Sequence, residues 1–165
     1  MRTRQPIALL VLDVDGVLTD GRLYFGARGE ALKVFDVRDG YGLVALQRAG
    51  VTVAVISGRR SGAVRARCRE LGVRYVYQGV ADKLAVFERL RARLKLARGA
   101  CACVADDLPD VPLMRAVGLA CAVADAHAGA RRAAHLVTRH GGGRGAVREV
   151  CDLLLGARLR TGRAR

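Results

Sequence analysis

The sequence of 165 residues has no tryptophan, three prolines and only 4% aromatic residues. So few rings leave little for nucleic-acid bases to stack on. No apolar run exceeds six residues, as at Ile7–Leu12, which excludes a membrane-spanning helix. Arg2 and Arg4 ahead of that run imitate the start of a secretory signal. Asp13 and Asp15 interrupt the run, and no small-residue cleavage site follows. Histidine is scarce, and the five cysteines (Cys68, Cys101, Cys103, Cys121, Cys151) contain no Cys-x-x-Cys pair. Cys101 and Cys103 alternate on one predicted strand with no histidine at zinc-ligand spacing, so buried, reduced thiols in a cytoplasmic protein are expected.

Acid is also in short supply. Fifteen acidic residues face 29 basic ones, a net charge of +14, and only Lys33, Lys83 and Lys95 are lysines. That balance would suit a polyanion binder. The arginines, however, are scattered along the chain rather than clustered, which favours a small anionic substrate over nucleic acid.

What is present reads as one α/β domain over residues 1–165, with a basic tail at about 158–165. Apolar residues make up 52% of the chain, and short apolar runs alternate with amphipathic stretches, the pattern of βα units around a mostly parallel sheet. Ile7–Leu12 reads as a buried first strand. Leu23–Phe25 and Ala31–Phe35 flank Gly26-Ala27-Arg28-Gly29, a hairpin with a four-residue loop. Asp39 is placed to cap a helix over Tyr41–Arg48. Val51–Ile56 is a second buried strand, followed by a helix over Gly62–Leu71, a strand at Arg74–Tyr77 and a long helix from Asp82 through Ala97. Cys101–Ala105 is a strand, and Pro109 opens a helix at its first turn. Short strands at Gly118–Val123 and His135–Val137 precede Gly141–Gly145, a glycine-rich segment expected to be mobile, and a final helix from Ala146 to about Leu159. Gly141, Gly143 and Ala146 imitate a dinucleotide fingerprint, but too little chain follows for the βαβ unit such a site needs.

Ligands of open parallel sheets bind beyond the carboxyl ends of the strands. There the sequence places Asp13-Val14-Asp15-Gly16, then Ser57-Gly58-Arg59, then Lys83, then Asp106 and Asp107. Four carboxylates converging on one rim repel one another unless a cation intervenes, and an all-oxygen set suits Mg²⁺. Mg²⁺ with a lysine and a hydroxyl is an arrangement for phosphoryl groups. Asp13 is placed to attack phosphorus, and Asp15 to protonate the leaving oxygen. Asp106-Asp107 read alone could merely cap the following helix, with Asp107 the better candidate. A calcium loop at Asp13–Asp20 fails because no glutamate completes the pattern.

These segments, D-V-D-G-V-L-T-D, S-G-R, Lys83 and D-D-L-P-D, resemble the four motifs of the haloacid-dehalogenase phosphatase superfamily. Within it, Y-F-G-A-R-G-E-A-L-K-V-F-D-V-R-D-G-Y-G, Y-Q-G, V-A-D-A-H and G-G-G-R-G-A-V-R-E-V-C-D-L-L resemble the 3-deoxy-D-manno-octulosonate 8-phosphate phosphatases, over roughly residues 7 to 156. The resemblance implies a Rossmann-like sheet with helices on both faces, a hairpin flap after the first strand and no large cap domain. It implies Asp13 as nucleophile and Asp15 as general acid/base. Mg²⁺ would be held by Asp13, Asp106 and the Asp15 carbonyl. It also implies substrate contacts from Asp15, Asp36, Val37, Arg38, Asp39, Gly40, Ser57, Gly58, Arg59, Arg67 and Lys83, with Asp107 and Asp110 in support. Ala105 and Asp36 depart from the usual glycine and asparagine of that pattern. Similar proteins form tetramers through the hairpin, their tails reaching a neighbour's site, and feed lipopolysaccharide assembly in Gram-negative bacteria.

Two alternatives share the features. A phosphatase for a nine-carbon sialic-type sugar would use the same core. A signalling receiver domain also has an acidic pocket, Mg²⁺, a hydroxyl and a lysine, but there the paired acids follow the first strand, whereas here the adjacent pair comes last. The dispersed charge gives the first expected outcome: duplex DNA binds weakly and lets go as salt rises. Fluorescence anisotropy checks this, and tight binding at physiological salt would reinstate a nucleic-acid partner.

Overall fold

The computed structural model describes residues 6–162, the side chains of 158–162 excepted. Its centre is a six-stranded, wholly parallel sheet made of β1 (Leu9–Leu12), β4 (Thr52–Ser57), β5 (Tyr75–Gln78), β6 (Cys101–Ala105), β7 (Leu119–Ala122) and β8 (Leu136–Val137), in the order β5-β4-β1-β6-β7-β8. β1 pairs with β4 on one side and β6 on the other, Leu10 lying opposite Val53 and Ala102. β1 and β6 are buried at every residue, as central strands covered on both faces must be. The remaining strands, β2 (Tyr24–Gly26) and β3 (Gly29–Leu32), form a separate antiparallel hairpin.

Among the described residues, six α-helices complete the fold: α1 (Val37–Arg48), α2 (Gly62–Glu70), α3 (Lys83–Arg93), α4 (Val111–Ala116), α5 (Ala128–Ala133) and α6 (Ala146–Gly162). α1 packs on α6, while α3, α4 and α5 associate in series. Right-handed crossovers that leave β1 leftward to β4 and β6 rightward to β7 put these two groups on opposite faces. The chain reverses direction between β1 and β6, so a crevice opens beyond their carboxyl ends. No described helix is long and apolar enough to cross a membrane.

Several boundaries differ from the sequence reading, each for a local reason. The hairpin tip is two residues, Ala27 and Arg28, because Gly26 and Gly29 pair with each other in the ladder. The hairpin's Leu23, Tyr24, Phe25 and Leu32 stay exposed rather than packing on the sheet. α3 stops at Arg93, not Ala97. Leu96 N–H bonds the Arg91 carbonyl (2.9 Å) and Lys95 N–H the Ala92 carbonyl (3.0 Å), with Lys95 at φ 56°. This is a Schellman ending, which lets Leu94 and Leu96 turn onto the core. Pro109 sits in a 3₁₀ turn over Leu108–Asp110 before α4 begins. α6 carries its backbone to Gly162, and the expected roles of the 158–165 tail lie outside the described side chains.

Two corrections bear on assembly of the fold. Asp39 does not cap α1; Asp36 does, accepting from Arg38 N–H at 2.6 Å. Asp39, 1% exposed, instead accepts from Gly145 N–H (3.4 Å) and Arg148 N–H (2.8 Å), and so caps α6 across the α1–α6 contact. The glycine segment is packed, not free. A Cβ on Gly142 would collide with the Gly16 carbonyl, and Gly143 N–H bonds the Val17 carbonyl at 2.9 Å. Burial pushes the Asp39 carboxyl up from its ordinary pKa. We expect Asp39→Ala to lower stability by about 1–2 kcal/mol. Asp39→Asn keeps an acceptor without the buried charge and should cost less. Urea unfolding of both variants checks the order.

Candidate active site

The cleft beyond the carboxyl ends of β1, β4 and β6 has a volume of about 290 Å³. Asp13, Asp15, Ser57, Gly58, Arg59, Lys83, Asp106, Asp107 and Asp110 line it. Each arrives on a strand end or helix start. Asp13 N–H bonds the Val104 carbonyl (3.2 Å), which ties the end of β1 to β6. The next turn closes on Thr19, whose hydroxyl accepts from Gly16 N–H (3.4 Å) and Gly21 N–H (3.2 Å). Gly16 has φ 83°, and a Cβ there would strike the Asp106 carboxylate. Only glycine lets the β1 loop and the β6 loop approach this closely. The Asp106 carbonyl accepts from His127 N–H at 2.7 Å, which fixes the second loop. Asp82 caps α3 by accepting from Ala85 N–H (2.9 Å), so Lys83 enters the cleft from the first helical position.

Lys83 is 8% exposed and bridges Asp13 (2.9 Å) and Asp110 (2.6 Å). Burial works against its charge, but the two carboxylates outweigh that effect and hold its pKa above the ordinary value. One lysine does not neutralise the site. Asp13, Asp106 and Asp110 each offer an oxygen within 4.8 Å of the others. Burial, then repulsion from Asp110, pushes the Asp13 pKa up to about 6 despite Lys83. Burial, then repulsion from Asp13, Asp110 and Asp107, pushes Asp106 up to about 8. Asp106 Oδ1 and Asp110 Oδ2 are buried without a hydrogen-bond partner. Buried carboxylate oxygens are rarely left so, and an all-oxygen set of this kind fits a hard divalent cation.

The converging carboxylates differ in part from those the sequence suggested. Asp110 joins Asp13 and Asp106, whereas Asp107 is exposed at the rim and accepts from Leu108 N–H (2.7 Å) as a cap. Asp15 faces the hairpin, where Lys33 pairs with its Oδ1 and Arg59 approaches its Oδ2 (3.7 Å). Asp36, Val37, Arg38, Asp39, Gly40 and Arg67 do not line this cleft. Asp36, Asp39, Gly40 and Arg67 border a crevice of about 10 Å³, too small for a sugar phosphate. Arg38 folds back on Asp36 (2.7 Å), Arg67 pairs with Glu70 (2.9 Å) and Val37 points to solvent. Helix capping by Asp36 and Asp39 occupies the segment with structural bonds that its sequence does not announce.

Sequence reasoning missed Lys33 and Glu30. Both reach the site from β3 and its exit. The Lys33 side chain is 2% exposed and lies 3.3 Å from Glu30, which in turn lies 3.5 Å from Arg59 and accepts from the Ser61 hydroxyl. Burial works to raise the Glu30 pKa, but bonds from Ser61 and Lys33 hold it below the ordinary value. A lysine retained where arginine has taken nearly every basic position was the available signal.

The chain is 52% identical, over 94% of its length and 82% of the relative's, to the 3-deoxy-D-manno-octulosonate 8-phosphate phosphatase KdsC of Escherichia coli strain B / BL21-DE3. The chain belongs to this phosphatase family. Among solved structures, the Yersinia pestis 3-deoxy-D-manno-octulosonate 8-phosphate phosphatase superposes with a TM-score of 0.89 at 51% identity, covering 92% of this chain and 82% of that one. The Moraxella catarrhalis phosphatase, in complex with magnesium, phosphate and KDO, has a TM-score of 0.89 at 40% identity, covering 92% of this chain and 87% of that one. No family model matches. The chain is accordingly a phosphoric monoester hydrolase of the haloacid-dehalogenase superfamily, with that superfamily's open α/β sheet and no large cap.

The buried charge cluster sets an expected outcome. In protein stripped of divalent cations, Lys83→Met leaves Asp13 and Asp110 facing each other unpaired. Stability should fall by about 3–5 kcal/mol, and adding Asp110→Asn should restore part of it. Denaturant unfolding of the single and double variants reads both changes.

Proposed function

We propose that this chain hydrolyses 3-deoxy-D-manno-octulosonate 8-phosphate to the free sugar acid and inorganic phosphate, a step in making lipopolysaccharide precursor. The observation that carries the reading is the pair of orphaned oxygens, Asp106 Oδ1 and Asp110 Oδ2, beside Asp13. Asp13 and Asp106, with the Asp15 backbone carbonyl, would hold Mg²⁺, and Asp110 stands close enough to take part. The bound cation would offset charge on the phosphoryl oxygens.

The chain's own residues divide the remaining work. An Asp13 carboxylate oxygen forms a bond to phosphorus as the bond to the sugar oxygen breaks, leaving a phosphoaspartate. Asp15, having taken up a proton from solvent as the substrate binds, gives it to the departing sugar oxygen. Asp15 then takes a proton from the water that attacks phosphorus, which releases phosphate and regenerates Asp13. Lys83 keeps Asp13 ionised and meets a phosphoryl oxygen, as do Ser57 and the backbone at Gly58. Arg59, at the mouth, suits the carboxylate of the sugar acid. Free, buried cysteines among the described residues accord with a reducing compartment such as the cytoplasm.

Asp13→Asn should abolish turnover by several orders of magnitude, and borohydride reduction followed by mass spectrometry should find the phosphoryl mark on Asp13 in the parent enzyme. Label on another residue, or full activity after exhaustive chelation, would reject the mechanism. Comparing the eight- and nine-carbon sugar phosphates decides the substrate. Because cation binding must displace protons from Asp13 (about 6) and Asp106 (about 8), Mg²⁺ affinity should climb as pH rises through that interval. Titration calorimetry across it checks the slope.

The hairpin leaves Leu23 (47% exposed), Phe25 (63%) and Leu32 (49%) in solvent. Such a patch supports assembly through the hairpin, and a homotetramer is the expected state. Light scattering that finds an active monomer would refute it.

A further inference from the structure

Around Asp15 four charges alternate in a closed ring. Lys33 pairs with Asp15 Oδ1 and with Glu30 Oε2 (3.3 Å). Arg59 approaches Asp15 Oδ2 (3.7 Å) and Glu30 Oε2 (3.5 Å). The two cations therefore meet opposite oxygens of Asp15, while one oxygen of Glu30, without a hydrogen bond of its own, lies within ion-pair distance of both. The other Glu30 oxygen accepts from the Ser61 hydroxyl, and that hydroxyl also accepts from Val64 N–H as the cap of α2. Through Ser61 the ring is fastened to the core rather than to the hairpin alone. The Phe25 ring lies 5.9 Å from the Arg59 guanidinium and covers it from the hairpin side.

We propose that Glu30 is a positioning residue for the reaction, setting the carboxylate of Asp15 through Lys33 and Arg59. The inference rests on the reading of Asp15 as proton donor to the leaving oxygen. Lys33 and Arg59 are long side chains with many rotamers, and Asp15 alone would not fix them. Without Glu30, both cations follow Asp15 wherever it turns, and the carboxylate loses its fixed orientation. Proton delivery depends steeply on distance and angle. An alkyl phosphate, whose leaving oxygen needs the proton, feels that loss. p-Nitrophenyl phosphate, whose leaving group departs as a stable anion, does not feel it in that first step, which kcat/KM reports; the later attack of water on phosphoaspartate is common to both esters.

The experiment compares kcat and KM for 3-deoxy-D-manno-octulosonate 8-phosphate and for p-nitrophenyl phosphate in Glu30→Gln, Glu30→Asp and Asp15→Asn, with thermal unfolding of each. In Glu30→Gln, kcat/KM for the sugar phosphate should fall about tenfold while kcat/KM for the aryl ester stays within about twofold, and Glu30→Asp should restore part of the loss. Equal losses on both esters, or none, would overturn the positioning role. Asp15→Asn should show the same split more deeply. A split there without one in Glu30→Gln defeats the Glu30 proposal and leaves the Asp15 reading standing. No split in Asp15→Asn defeats that reading and the proposal with it. If Glu30→Gln fails to fold, Ser61→Ala, which frees Glu30 from the core while keeping the ring, serves in its place: it should show a smaller split of the same sign, and its absence overturns the proposal.

Discussion

Everything in the cleft depends on bringing three carboxylates, one buried and two half-buried, together beside one ammonium group. Lys83 offsets part of the repulsion between Asp13 and Asp110, yet Asp106 and Asp110 keep oxygens that no protein donor reaches. Such a cluster resists burial, and the fold supplies the restraint. The β1 loop is tied to β6 through Asp13 and Val104, the β6 loop to His127, and glycine at position 16 lets the two loops meet. The parallel sheet is therefore a frame that holds like charges at a separation they would not choose in water. A site pre-organised in this manner takes up a cation and a phosphoryl dianion with little rearrangement.

How much of this could be read from the residues follows from the range of each interaction. β1, β6 and the helices after Gly62 and Asp82 are local: apolar runs, then a turn or a capping side chain, then an amphipathic stretch. The placement of Asp13, Ser57, Lys83 and Asp106 on one rim was legible because a parallel sheet sends every strand end to the same edge. Asp39 was not. Its position invites a local cap, but its bonds run to Gly145 and Arg148, over a hundred residues away, and no periodicity encodes such a contact. The end of α3 was missed for a subtler reason. Lys95 carries the positive φ that glycine usually signals. Lys33 and Glu30 were hidden because a hairpin's direction of fold is a tertiary matter; the sequence shows its strands and not the surface they cover.

The hairpin carries both charge and exposed apolar surface. Glu30 and Lys33 enter the charged ring beside Asp15, while Leu23, Phe25 and Leu32 stand in solvent, Phe25 directly opposite Glu30 in the ladder. An element that holds the two together joins catalysis to assembly mechanically. Covering its apolar residues would restrict its motion, and thus the ring around Asp15. Arg59 sits at that seam, with the Phe25 ring on one side and two carboxylates on the other.

The cap that Asp39 gives α6 also dictates an order of events as the chain is made. β1 cannot complete its place in the sheet until β6 has emerged, and the buried Asp39 has no acceptor role until Arg148 is out and the final helix has formed. Contacts of such long sequence separation slow the search for the native state. During synthesis the α1 face that α6 covers stands open, with Gly42, which packs against Arg148 and Cys151, uncovered on that side until α6 docks. A ribosome paused before α6 is made would thus hold a chain whose chemical cleft is encoded in full but whose first helix lacks its cover, the interval in which chaperone capture and proteolysis compete with folding.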